Sequence, residues 1–468
     1  MYQIKNIEYY ILIATFVLAG LLFSATSYSQ SSDIDFIIEK IRKDYFPLKI
    51  GYDSVKFEKY VALKKRKPIV DTFKFISEVT NYFKDQHLIS YQRKTNSLPD
   101  NFLPNNSPDA IIKKVKAGVS LNDKTTGYWI NDLGTEIIGV IKNDKEDLYY
   151  GYVIQSADTG KVGRLALKFS PYSKRSSLCE FVNTYFQYRQ YAPFKFLSPA
   201  EFQIWSYSRW KKMGYRLENE TKIIKPFNYK ASVSLLDSGV IVFRIPENSP
   251  ENIDIVDSLV IAYKRQLDEA KILLIDIRNN PGGTIRTYSK LLPYIYTKEI
   301  VRPDGYTYVS KDLFEYEMRN LESIDSSQNK DEYNKQLRYV DSLKSVLGQL
   351  VFYKGKNKNF DTVYRKPEKV GLLVNYACMS ASEAMILDMR QSAKVVVFGE
   401  NTAGAIDNTN TFAMRTPSGK YSIWMPTFRG ISTPLHERYA GKGISPDVRI
   451  TNGEQDWLKI AIKYLESH

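Results

Sequence analysis

The stretch that most limits what this chain can fold into runs from Gly371 to Gly404 and reads GLLVNYACMSASEAMILDMRQSAKVVVFGENTAG. Gly371 to Val374 is a short apolar run, the pattern of a buried strand. Asn375, Tyr376 and Ala377 turn the chain. Ser380 then opens a helical pattern with apolar positions at Ala384, Met385, Leu387 and Met389. Lys394 to Phe398 reads as a second buried strand, closed by Gly399. Strand, helix and strand at this spacing make a βαβ unit, and hence a parallel sheet. In such sheets chemistry collects at the carboxyl ends of the strands. Ser380 sits there, at a helix N-terminus whose free N–H groups favour negative charge. That suits a nucleophile whose attack creates an oxyanion. It equally suits Ser380 or Ser382 as a plain helix cap.

A second stretch, Lys271 to Gly283, reads KILLIDIRNNPGG: a buried strand, a charged pair and a Gly-Gly turn. Across the two stretches and beyond them, four groups of residues stand in chain order. They are Asp276, Arg278, Asn280 and Gly282-Gly283; Asn375 with Ser380-Ala-Ser-Glu383; Gly399-Glu400, Thr402 and Gly404; and Gly443-Ile-Ser-Pro-Asp447. With these motifs in this order the chain resembles the tail-specific, or carboxyl-terminal processing, protease family of serine peptidases. The resemblance is close over Phe227 to Val448 and loose elsewhere.

The resemblance implies that Ser380 is a nucleophile. A serine hydroxyl is inert at neutral pH without a base to take its proton. One branch of the family carries a lysine on the turn after the second strand; here that turn is Thr402-Ala-Gly-Ala405, with alanine in the lysine's place. The tricorn-like branch uses a histidine from a D-x-H element ahead of the core, and Asp85-Gln-His87 fits that type and order. His87 is therefore the implied base of a serine–histidine–acid system. Its local sequence also allows a plain core residue, because it continues the apolar face of Phe73, Ile76, Val79 and Phe83 along a helix starting at Asp71. His436 is the second candidate base. The family's acid falls at Ala440 here, and Glu437 is the nearest substitute or else a surface charge. The implied oxyanion donors are the backbone N–H groups of Ala381 and Gly283, the latter where glycine permits close backbone approach. Asp276 and Arg278 read as turn scaffolding. No metal-ligand spacing or cofactor motif accompanies these residues, so no cofactor is expected.

The expected fold class is α/β and multi-domain. It comprises an N-terminal helical region, a small antiparallel β domain, and a βαβ-containing mixed-sheet core, which the resemblance makes one of the ClpP/crotonase-like kind. Residues 1–29 read as a secretory signal peptide: Lys5, an apolar run from Tyr10 to Phe23, then small residues before Gln30. The apolar run is short for a membrane span. An exported protein, periplasmic or extracellular, without stable membrane insertion after cleavage is the expectation. Residues 30–105 read as the helical domain, with a Pro- and Asn-rich linker from Leu98 to Pro108. Residues 106–226 read as the β-rich domain and its connector. Within it, short alternating runs predict a small barrel or sandwich over Thr125 to Phe196, and a short helix is expected around Trp205 to Lys212. The stretch has neither the carboxylate loop nor the later turn of a PDZ module. Residues 227–468 read as the peptidase core, with a helix over Thr287 to Tyr296, a charged helical insertion around 312–350 and a terminal helix from Glu454.

Among 468 residues 43% are hydrophobic and 25% charged, which requires a globular protein with a real core. Two cysteines, Cys179 and Cys378, do not make a disulfide framework. The net charge of +14 is scattered in clusters such as Lys64 to Lys67, with no nucleic-acid motif beside it. Three functions stay open at this point: a peptidase acting on polypeptides, a non-catalytic relative that binds peptides or apolar ligands, and a basic surface module for acidic glycans.

Overall fold

The computed structural model describes residues 32–50, 53–92, 98, 107–172, 176–183, 188–216, 224–236, 239–431, 438–451 and 456–468. The expected signal peptide, and both His436 and Glu437, lie outside the described residues.

The core is a six-stranded sheet in the order Ser232–Leu236, Val240–Arg244, Ile272–Asp276, Lys369–Val374, Val395–Gly399, Val448–Arg449. The first pair is antiparallel and the rest are parallel. The apolar runs form strands because both faces are covered. Leu273 and Ile275 face a core shared with the helices Pro250–Ala262 and Ala381–Met389, while Ile272 and Leu274 face the terminal helix Trp457–Ser467. Full burial of each such aliphatic side chain is worth about 1.5–3 kcal/mol. The βαβ unit is present as Lys369–Val374, Ala381–Met389 and Val395–Gly399. The expected α/β class therefore holds.

A second sheet runs Ile89–Tyr91, Ser422–Gly430, Gly305–Tyr308, Leu350–Tyr353, with Asn408–Arg415 also pairing with Ser422–Gly430. The N-terminal helices pack on this sheet. Ile37, Ile41, Phe57, Ile76 and Val79 share one core with Phe412, Met414, Ile423 and Met425. Residues distant in sequence thus close around one another.

Between them stands a closed antiparallel barrel of eight sequential strands, from Gly127–Asn131 to Ser208–Gly214, which pair with each other to close it. Its interior is packed with Trp129, Phe169, Phe194 and Phe202, all fully buried. The short helix expected around Trp205 to Lys212 does not form. Glu201–Ile204 and Ser208–Gly214 are a hairpin instead, turning at Trp205, whose φ is 53° and whose N–H bonds Pro193. A left-handed residue cannot continue a right-handed helix. The helix expected over Thr287 to Tyr296 is likewise reduced to the single turn Leu292–Ile295, with turns before it. The insertion forms two helices, Lys311–Glu322 and Lys330–Ser345.

One tie between the barrel and the core is centred on Tyr376. Tyr376 Oη donates to Asp132 Oδ2 at 2.6 Å, and the Arg209 guanidinium lies 3.5 Å over the Tyr376 ring while reaching Glu400 at 3.3 Å. The basic cluster is partly spent within the fold, since Lys64 pairs with Glu78 and Lys65 with Asp35.

Candidate active site

Two turns meet at the carboxyl ends of the central strands. One follows Asp276 and the other follows Val374. Asparagines lock them together: Asn279 N–H donates to Asn375 Oδ1 at 2.9 Å, and Asn375 Nδ2 donates to Asn279 Oδ1 at 2.7 Å. Met379 N–H donates to Asn280 O at 3.1 Å, and Asn280 Oδ1 accepts from Gly282 N–H at 2.8 Å. Asp276 holds Arg278 through two side-chain bonds, which makes the pair scaffolding of the turn.

Ser380 stands at the end of the second turn with φ 57° and ψ −118°, and the helix starts one residue later. A non-glycine residue in such a region carries strain of order 1–3 kcal/mol. The strained backbone is held by Glu383, which is fully buried. Glu383 Oε2 accepts from Ser380 N–H at 3.0 Å and from Ala405 N–H at 2.7 Å. Its Oε1 accepts from Thr402 Oγ1 at 2.5 Å and Gly404 N–H at 2.7 Å. Burial raises the Glu383 carboxyl to about 7 against the pull of these donors.

His87 Nε2 lies 3.2 Å from Ser380 Oγ. His87 is not on the helix that its apolar spacing suggested. That helix, Thr72–Asn81, stops short, Lys84 turns with φ 53°, and Asp85 Oδ1 accepts from the His87 N–H at 2.9 Å. This is the Asx-turn chemistry that aspartate favours over helix continuation. The turn places His87 just ahead of the strand Ile89–Tyr91, which pairs with Ser422–Gly430. Gln86 fastens the turn to the core by donating to Ala403 O at 2.8 Å, and Ser206 of the barrel donates to Gln86 Oε1 at 2.9 Å.

Burial pulls the His87 imidazole below the ordinary histidine value, while the Asp85 carboxylate and the Asn408 backbone act in the opposite sense. A neutral imidazole can accept a proton at Nε2 only if Nδ1 carries the ring proton. Nδ1 is buried and has no hydrogen bond of normal geometry among the described residues. The nearest carboxylate supplying charge is Asp85, whose Oδ2 accepts from Tyr45 Oη at 2.9 Å and Asn408 Nδ2 at 2.7 Å. Sequence reasoning missed this network, although the aspartate of the D-x-H element was its visible signal. Ala440, where the family's acid falls, donates its N–H to Asp407 Oδ2 at 3.1 Å.

Gly282 and Gly283 have φ of 93° and 129°. A Cβ on Gly282 would stand 2.9 Å from Ala381 N, and one on Gly283 would stand 2.2 Å from Asn248 O. Asn248 bonds the backbone on either side of Gly283, through Gly282 O and Thr284 N–H. The Gly283 N–H therefore points away from Asn248. Gly283, Ala381, Ser380 and His87 all line one cavity of about 910 Å³. Among the described residues no cluster of three or more His, Cys, Asp or Glu could hold a metal ion.

Residues 243–450 match the model for peptidase family S41. Over that segment the chain is similar to the family. The S41 segment contains Ser380 and both turns, while His87 comes from outside it. No curated protein matches the chain. Among solved structures, a putative peptidase from Parabacteroides merdae is 12% identical, covering 93% of this chain and 96% of that one, with a TM-score of 0.45. The photosystem II D1 C-terminal processing protease is 12% identical at the same coverages, with a TM-score of 0.40. The CPAF S499A mutant is 11% identical over 94% of this chain and 96% of its own, with a TM-score of 0.49.

Proposed function

We propose that this chain is an exported serine-type endopeptidase of the tail-specific, tricorn-like kind, acting through an acyl-enzyme on Ser380. The observation that carries this reading is the 3.2 Å contact between His87 Nε2 and Ser380 Oγ. Ser380 Oγ attacks the peptide carbonyl carbon as its proton passes to His87 Nε2. The oxyanion is held by the N–H groups of Ala381 and Gly283. The C–N bond then breaks, and the leaving amine takes the proton from His87. Water, deprotonated by the same imidazole, hydrolyses the ester and restores the serine. Export rests on the leader-like residues 1–29.

A fluorophosphonate probe tests the reading. The wild type should become labelled at Ser380, and the Ser380→Ala and His87→Ala variants should not. A folded wild-type protein that never labels overturns it. The mature N-terminus, measured by mass spectrometry, should lie near Gln30.

One observation favours a second reading, a non-catalytic peptide-binding protein: no carboxylate hydrogen-bonds His87 Nδ1 among the described residues. That reading requires saturable peptide binding with neither labelling nor turnover.

A further inference from the structure

The cavity at Ser380 does not end at the core. Its wall continues into the barrel, through Asn131, Glu136, Gln190, Ile204 and Trp210. Strand alternation fixes which barrel residues point inward. In Glu136–Asn143, Ile138 and Val140 pack with the interior residues Trp129, Phe169 and Phe202, whereas Ile137 and Ile141 pack outward with Ile111 and Val115 of the helix Pro108–Gly118. Glu136 shares the parity of Ile138 and Val140, so it belongs to the lumen side. The barrel thus has two levels. Deeper, it is filled with aromatic rings; at the level that joins the cavity, it carries polar groups.

Those groups are not used up by the fold. Glu136 is 3% exposed, Gln190 2% and Trp210 8%. Gln190 Oε1 and Trp210 Nε1 have no hydrogen-bond partner among the described residues. No lysine or arginine among the described residues forms an ion pair with Glu136, and the charges felt at its carboxyl are those of Lys161 and Asp158. Asn131, by contrast, is satisfied: it bonds Thr135 and the Glu136 N–H as part of its turn. The other acid on this side, Asp132, is bonded by Tyr376 Oη. Buried polar groups left unpaired are costly unless something completes them. A buried carboxylate facing a cavity is complemented by a cation that also hydrogen-bonds its neighbours, the geometry of a charge-assisted pair.

We propose that the mouth of the barrel is a substrate subsite, in which Glu136 receives the cationic side chain of a lysine or arginine of the polypeptide, with Gln190 Oε1 accepting a further hydrogen bond. The proposal rests on the peptidase reading above and names its substrate class: polypeptides with a basic residue at a fixed distance from the cut bond. The barrel occupies the place in the chain where a PDZ module was sought, and it reads a side chain where a PDZ module would read a chain end.

The test uses the full-length mature protein and matched fluorogenic peptides that differ only in lysine against norleucine, scanned through the positions around the cut. The wild type should prefer lysine at one position by about tenfold or more in kcat/KM. Glu136→Gln should bring that ratio close to one, and Gln190→Glu, which adds a second carboxyl, should raise it. The rate of fluorophosphonate labelling reports whether each variant retains its folded site. A wild-type ratio near one at every position, or a preference that survives Glu136→Gln, overturns the inference. Binding of the same labelled peptides to Ser380→Ala, measured by fluorescence anisotropy, keeps the two readings separate. If the wild type never labels, the peptidase reading falls. The subsite then stands if lysine-dependent binding is lost in Ser380→Ala/Glu136→Gln, and falls if it is not.

Discussion

Glu383 holds Ser380 from behind: its Oε2 accepts the serine's own N–H at 3.0 Å while the serine hydroxyl is turned toward His87. The same carboxyl accepts from Thr402, Gly404 and Ala405, so the nucleophile and the turn beyond the second strand share one buried anchor. Glu383→Gln keeps the size but sets an amide N–H against backbone donors. Leaving such donors unsatisfied costs about 1–3 kcal/mol each. A fall in stability of that order is expected in denaturant unfolding, together with slower fluorophosphonate labelling of Ser380.

His87→Ala removes the one basic side chain in hydrogen-bond reach of Ser380 among the described residues. In a serine–histidine system such a loss is worth on the order of 10⁶-fold in turnover. Peptide hydrolysis should vanish to that extent while the melting temperature changes little. Retention of more than a few per cent of activity would move the base elsewhere.

The pH–rate profile has a direction fixed by burial. The His87 imidazole must be neutral to act as base, and burial holds its pKa below the ordinary histidine value. The ascending limb of kcat/KM should therefore have its midpoint below about 6.5. Asp85→Asn removes the carboxylate that opposes the shift, so the limb should move further toward acid. Because Asp85 bonds the backbone N–H of His87, kcat should also fall, by about tenfold. A limb that moves toward alkaline pH in this variant would contradict the arrangement.

Gly283→Ala places a methyl group 2.2 Å from Asn248 O at a φ of 129°. The turn must shift, and with it the N–H assigned to the oxyanion. Loss of one such donor costs about 10²–10³ in kcat. A loss in kcat with KM little changed, measured on one fluorogenic peptide, is the expected signature.

The central βαβ unit was legible because a strand buried on both faces writes itself as an unbroken apolar run, as in Leu372 to Val374 and Val395 to Phe398. The fate of Trp205 was not legible. Its left-handed backbone serves the hairpin of Glu201–Ile204 and Ser208–Gly214, and its N–H is taken by Pro193 O of the preceding strand, a bond the spacing of apolar residues does not show. His87 shows a mixed case. The D-x-H pattern pointed to the residue, but the apolar spacing from Phe73 suggested a helix reaching it. Asp85 ends that reading by bonding the His87 N–H. The Glu383 anchor was hidden in a motif whose glutamate also passes for half of a capping box. Three of the four donors converging on it come from a turn some twenty residues away, and only packing brings them there.

The two groups 3.2 Å apart at the centre of the site are 293 residues apart in the chain. The histidine is synthesised early and the serine late, and the strand that fixes the histidine pairs with Ser422–Trp424, later still. A nascent chain therefore carries one half of the pair without the other through most of its synthesis. On the peptidase reading proposed above, hydrolytic competence is in this sense a checkpoint on completeness: a product truncated before Ser380 carries the base without the nucleophile and cannot digest the chains around it.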